Sequence, residues 1–181
     1  MSVDGIGFEK YENLINEFRI IQENQYYYPF EKLHMTVLPY IKTEFFDKTI
    51  SDEVENIFLK YKISFETICV DFRNYSTMQI LAKPLFDLAK LRQELRDCIN
   101  PKKDEWTLYT NNFEDIGHIN IMRYKELPKV ELLKKAFEKV DKSFGIITPK
   151  KVEVIKLSSR TLAPGKFSIE KEIVLNSLAT H

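Results

Sequence analysis

The chain has 181 residues, 44% hydrophobic and 13% aromatic, enough for one domain with a substantial core and outside the composition of disordered chains. Its 27 basic and 27 acidic residues balance, which excludes coating of nucleic acid by bulk positive charge and leaves only a local basic cleft. No apolar run approaches the roughly 20 residues of a membrane span, and Met1 to Lys10 lacks the pattern of a secretion signal, so a cytoplasmic protein without membrane contact is the expectation.

Phe8, Tyr11, Leu14, Ile15, Phe18 and Ile20 or Ile21 recur at helical spacing and predict an amphipathic helix over 7–23, within a helical preface of about 30 residues. The aromatic stretch Tyr26-Tyr27-Tyr28-Pro29-Phe30 leads into a short strand around Leu33-His34-Met35-Thr36-Val37. Apolar positions from Phe45 to Tyr61 predict a second helix, then come an alternating strand from Ile63 to Phe72 and a hairpin partner from Thr77 to Ala82. Pro84 suits the first turn of a helix carrying Leu85, Leu88, Leu91, Leu95 and Ile99, which Asn100-Pro101 would end.

A polar stretch with the one tryptophan, Trp106, precedes a second histidine strand, Gly117-His118-Ile119-Asn120-Ile121. Pro128 opens a helix with Val130, Leu133, Phe137 and Val140 that stops near Gly145. Two strands, one around Val152–Leu157 and one around Phe167–Leu175, flank a Pro164-Gly165 turn. The order is a preface, strand-helix-strand-strand, a connecting helix, and the same unit again. Two such units about an approximate two-fold axis would set equivalent strands opposite each other across a cleft, giving a bilobal α+β domain over 1–181.

Chemistry concentrates in the two histidine strands. Side chains alternate along a strand, so His34 shares a face with Thr36, and His118 shares a face with Asn120. Each strand thus offers an imidazole, able to give or take a proton near pH 7, beside a hydrogen-bonding group for an oxyanion. A zinc site is disfavoured, since neither strand has a second ligand at metal spacing. No GxSxG or phosphate-cradling glycine loop occurs. Cys69 and Cys98 lie away from the histidines and read as reduced, buried thiols.

His34-Met35-Thr36-Val37 and His118-Ile119-Asn120-Ile121 resemble the paired His-x-Thr/Ser-x motifs, x being usually apolar, of the 2H phosphoesterases, a group that includes the 2'-5' RNA ligase-like proteins and cyclic phosphodiesterases. The first motif matches in full. The second carries asparagine where the family has threonine or serine. An arginine two residues beyond the second motif is common in the family, and Arg123 stands there, although regular alternation would turn it away from His118 and Asn120 into an ion pair.

The resemblance implies a bilobal α+β fold with two antiparallel sheets lining a central groove and helices outside. It also implies metal-free hydrolysis of cyclic or 2'-5'-linked nucleotide or RNA phosphodiesters by a monomer that needs no cofactor. His34 and His118 would be acid and base, in either order, while Thr36 and Asn120 hold the phosphate oxygens. Tyr40, Trp106, Arg123 and Tyr124 are candidate substrate contacts, with Tyr26, Tyr27, Tyr28 and Tyr109 further aromatics that could stack on a base. Lys150, Lys151, Lys156, Arg160 and Lys166 form a candidate basic rim. The alternative is a nucleotide- or RNA-binding module that keeps the pocket without turnover.

Overall fold

A computed structural model of the chain describes residues 1, 7–38, 46–72, 76–99, 115–139, 144–157 and 167–175. The described part is α+β, with four α-helices and two antiparallel sheets. Helix α1 spans Phe8–Ile21 and fully buries Tyr11, Leu14, Ile15 and Phe18. This is the i, i+3, i+4, i+7 stripe expected of it, and each such side chain contributes about 1.5–3 kcal/mol on leaving water. Phe8 and Ile20, read from the sequence as part of that stripe, are exposed because they fall at its edges.

Five strands build the larger sheet: β1 (Tyr26–Tyr27), β2 (Phe65–Asp71), β3 (Thr77–Pro84), β4 (Gly117–Arg123) and β5 (Ile146–Ile147), in the order β1-β4-β3-β2-β5. A separate hairpin pairs β6 (Lys151–Leu157) with β7 (Phe167–Val174). Helix α2 (Lys48–Leu59) starts at Asp47, whose side chain accepts from the Ile50 amide at 3.0 Å and caps the first turn. Helix α3 (Leu88–Ile99) packs on α2, and α4 (Val130–Phe137) packs on α1.

Pro84 does not open α3. It ends β3, paired with Phe65, and the helix begins only after Asp87, which takes the Lys90 amide at 2.8 Å. The proline lacks only a donor, which a terminal strand position tolerates. Strand β5 is too short to have left a signal in the sequence. It is held by Gly145, at φ 80°, whose carbonyl takes both the Thr67 amide and the Thr67 hydroxyl.

Two buried glutamines settle where β1 lies. The Gln22 side chain donates to the Leu127 carbonyl at 3.1 Å and accepts from the Lys129 amide at 2.7 Å. Gln25 bonds Glu126 and Lys125 in the same way. The end of α1 is thereby sewn to the loop after β4, and the chain that follows runs along β4. One hydrophobic cluster joins both sheets and all four helices, including Val152 and Ile173 of the hairpin. No described helix is long and apolar enough to cross a membrane.

Candidate active site

Strand β4, an inner strand between β1 and β3, carries the second histidine motif. Gly117, Ile119 and Ile121 are buried, while His118 and Asn120 are half-buried on the other face. The first motif is not a regular strand. After β1 the chain leaves β4 for a 3-10 turn at Phe30–Lys32 and returns to it through a single antiparallel bridge between Met35 and Ile119. Leu33, Met35 and Val37 point into the core, and His34 and Thr36 point away from it. Both backbone hydrogen bonds of Met35 on its outer side go to Met1.

Continuing the Met35–Ile119 register by one residue sets His34 opposite Asn120 and Thr36 opposite His118. Directly opposed residues share a face at about 5 Å between Cβ atoms, and the His34–His118 diagonal is about 7–8 Å. Two imidazoles at that spacing can reach one phosphorus-centred group from two sides. The four motif residues are neighbours along one sheet surface, held by the tight fit between the motifs. A Cβ on Gly117 would lie 2.5 Å from the Met35 sulfur.

The two histidines sit in different surroundings. His34 Nδ1 lies 3.0 Å from the Lys32 carbonyl. A carbonyl only accepts, so Nδ1 carries the proton and Nε2 is the nitrogen left for chemistry. His118 has its pKa lowered, first by burial, then by the Arg92 guanidinium, then by the nearby His34. Arg92 sits on α3 at 5% exposure, and its Nε donates to the Val37 carbonyl at 2.7 Å. It therefore ties the first motif to α3 and keeps a positive charge beside the second.

The neighbouring strand β3 adds a polar network to the same face. Gln79 pairs with Asn120 in the register and donates from Nε2 to Asn120 Oδ1 at 2.9 Å and to Thr77 Oγ1 at 3.2 Å. Sequence reasoning passed over Gln79, Thr77 and Arg92. The available signals were two polar residues at period 2 at the start of a strand that is otherwise apolar up to Lys83, and Arg92 and Arg96 interrupting the leucine stripe of α3.

Arg123 is corrected by the structure. Ile121 is an extra residue in β4: Gln79 pairs with Asn120, whereas Met78 and Thr77 pair with Met122 and Arg123. This bulge buries both Ile121 and Met122 and shifts the alternation by one. Arg123 thus shares the face of His118 and Asn120, exposed, with no carboxylate in ion-pair reach among the described residues. Tyr26 opposes Arg123, and its ring meets Tyr28 edge-on at 5.0 Å.

Other expectations fare differently. Tyr124, one residue beyond Arg123, turns back and packs on the core, its phenol pKa raised by burial and by Asp71. Tyr27 is buried, with its hydroxyl on the Gln22 carbonyl. Lys151 is held between Glu153 and Glu172 at 2.9 and 2.8 Å, so its charge is answered locally instead of forming an open basic rim. Both cysteines are half-buried, not buried as expected. Burial, with Glu53 nearby, pushes the Cys98 thiol up to about 11, unfit for a nucleophile near neutral pH. Tyr40, Trp106, Tyr109, Arg160 and Lys166 lie outside the described residues.

No protein-family model matches the chain, and a search among curated proteins finds no match.

Proposed function

We propose that the chain is a 2H-type phosphodiesterase that hydrolyses cyclic or 2'-5'-linked nucleotide or RNA phosphodiesters without a metal or other cofactor, acting as a cytoplasmic monomer. The observation that carries this reading is the Met35–Ile119 bridge, whose register sets His34, Thr36, His118 and Asn120 around one small patch. The element order is in keeping with a duplicated α+β chain, although both motif segments lie side by side on the larger sheet and β5 precedes the second hairpin. The first motif segment is followed by α2 and the β2–β3 hairpin, and the second motif, on β4, by α4 and the β6–β7 hairpin.

Burial and Arg92 favour a neutral His118, the form a general base needs. The Lys32 carbonyl on Nδ1 fixes the ring and leaves Nε2 as the atom through which His34 would act as the acid. In hydrolysis His118 takes a proton from water as the water oxygen bonds to phosphorus. The phosphorus–ribose oxygen bond breaks, and His34 gives its proton to the departing ribose oxygen. The two histidines finish with exchanged protonation states and reset through solvent. The Thr36 hydroxyl and the Asn120 amide donate to the non-bridging oxygens, where charge develops in the transition state.

The test is turnover of 2',3'-cyclic nucleotides, 2'-5' oligoadenylate and cyclic dinucleotides in EDTA. One member of the panel should be hydrolysed, with kcat falling about 10²–10⁴-fold in each of His34→Ala and His118→Ala. Turnover abolished by EDTA, or insensitive to both substitutions, would refute the mechanism. Tight binding of a nucleotide phosphate with no turnover would favour the binding module.

A further inference from the structure

We propose that Gln79 is a positioning residue that locks the Asn120 side-chain amide, with Oδ1 turned toward β3 and the Nδ2 hydrogens turned toward the anion site. Through this lock an asparagine does the work that a hydroxyl donor does in the first motif. The inference rests on the proposed function for the identity of the anion, and the geometry carries the lock.

Asparagine at this position brings a difficulty that threonine does not. A hydroxyl rotates and offers a proton in whatever direction an oxyanion lies, but a carboxamide has one donating end and one accepting end. The wrong end would present a carbonyl oxygen to a negatively charged phosphate. A half-turn about one bond of the side chain therefore separates a productive site from a repulsive one.

The neighbourhood on β3 removes that freedom. Gln79 is 8% exposed and Thr77 6%, and both face the site side of the sheet. The Gln79 Nε2 group spends its two hydrogens on Thr77 Oγ1 and Asn120 Oδ1. A buried amide gives up such bonds only at a penalty, so with Gln79 Nε2 directed at Thr77 Oγ1 and Asn120 Oδ1, Asn120 keeps its oxygen toward Gln79. Because β4 lies between β3 and the 33–37 segment, the nitrogen is then left on the side of His34 and Thr36. Two N–H groups thus stand where the transition-state charge develops, held in place before the substrate arrives.

The experiment compares Gln79→Glu and Gln79→Met in two backgrounds, the parent and Asn120→Thr, reading kcat and KM on the best cyclic nucleotide. Glutamate can only accept at this position and reverses the Asn120 amide, while methionine frees it. In the parent background, Gln79→Glu should lower kcat by about 10- to 100-fold, short of the roughly 10²–10³-fold of deleting an oxyanion donor. KM should change much less. In the Asn120→Thr background the same substitution should cost less than about 3-fold, because a hydroxyl re-aims itself. Equal losses in the two backgrounds would overturn the proposal, since they would mark Gln79 as a residue of the fold only.

If Gln79→Glu fails to unfold cooperatively, Gln79→Met carries the same comparison. A second readout is independent of turnover: the Asn120 side-chain amide resonances should shift on titration with inorganic phosphate in the parent, and the shift should vanish in Gln79→Glu. A parent that hydrolyses nothing but shows both of these results would refute the phosphodiesterase and leave the lock standing. Asn120 resonances unmoved by phosphate in a parent that does turn over substrate would refute the lock alone.

Discussion

Replacing Gly117 by alanine tests the contact that brings the two histidine motifs together. The added Cβ would meet Met35 Sδ at 2.5 Å, Met35 Cε at 2.9 Å and Phe65 Cδ1 at 3.2 Å. The sulfur distance is about 1 Å short of an ordinary contact. Overpacking of this kind costs about 1–3 kcal/mol. Two effects oppose it: the backbone gains about 0.5–1 kcal/mol when a strand glycine becomes alanine, and methionine yields more readily than other core side chains. The expected net loss is about 0.5–2 kcal/mol, or a fall in Tm of about 1–8 °C for a chain of this size.

Met35→Ala alone should cost about 2–5 kcal/mol through the space it empties. The alanine methyl at 117 would occupy part of that space, so the double variant should be more stable than the sum of the singles predicts by at least about 1 kcal/mol. Urea unfolding at constant m measures all three. A coupling under about 0.5 kcal/mol, the scatter of independent sites, would refute the register between the motifs and with it the shared patch.

His118 carries a pH signature of its own. Its folded-state pKa lies below the unfolded value, so below about pH 6.5 the unfolded chain binds a proton that the folded chain does not. Stability should therefore rise with pH through the window between the folded pKa and about 6.5, and His118→Gln should remove that slope in urea unfolding from pH 5 to 8; an unchanged slope would contradict it. Arg123 stands two residues along β3 from the Asn120 position, about 7 Å away, the distance of a neighbouring nucleotide. Arg123→Ala should raise KM roughly ten-fold for oligonucleotides, as for one lost charge-assisted contact, and leave cyclic mononucleotides alone. Equal effects on the two substrates would show that it does not read the longer chain.

Much of the framework was legible without coordinates. The stripe of Tyr11, Leu14, Ile15 and Phe18 named α1, because helical spacing shows directly which face will be dry. Period-2 alternation paired His34 with Thr36 and His118 with Asn120, and both pairs stand on the polar side of their segments. The same rule failed three residues on at Arg123, because it assumes unbroken pleating and the bulge at Ile121 breaks it. Pro84 misled for a similar reason: a proline fits the end of a strand as well as the start of a helix, and the capping Asp87 decided between them.

Which segments meet was decided only by the fold. Nothing local to residues 33–37 says that the chain returns to β4 after its 3-10 turn, or that Met35 lands opposite Ile119 and not one residue away. A slip of one would have turned every motif side chain to the other face. Nor does α3 reveal from its own pattern that Arg92 will reach the Val37 carbonyl, or β3 that Gln79 will hold Asn120. By itself the sequence determined the chemistry available, two imidazoles each beside a donor, and the face on which each would stand. Tertiary structure decided their register, their neighbours and the charge around them, because these depend on contacts between residues 40 to 100 positions apart, which the periodicity of a single segment does not encode.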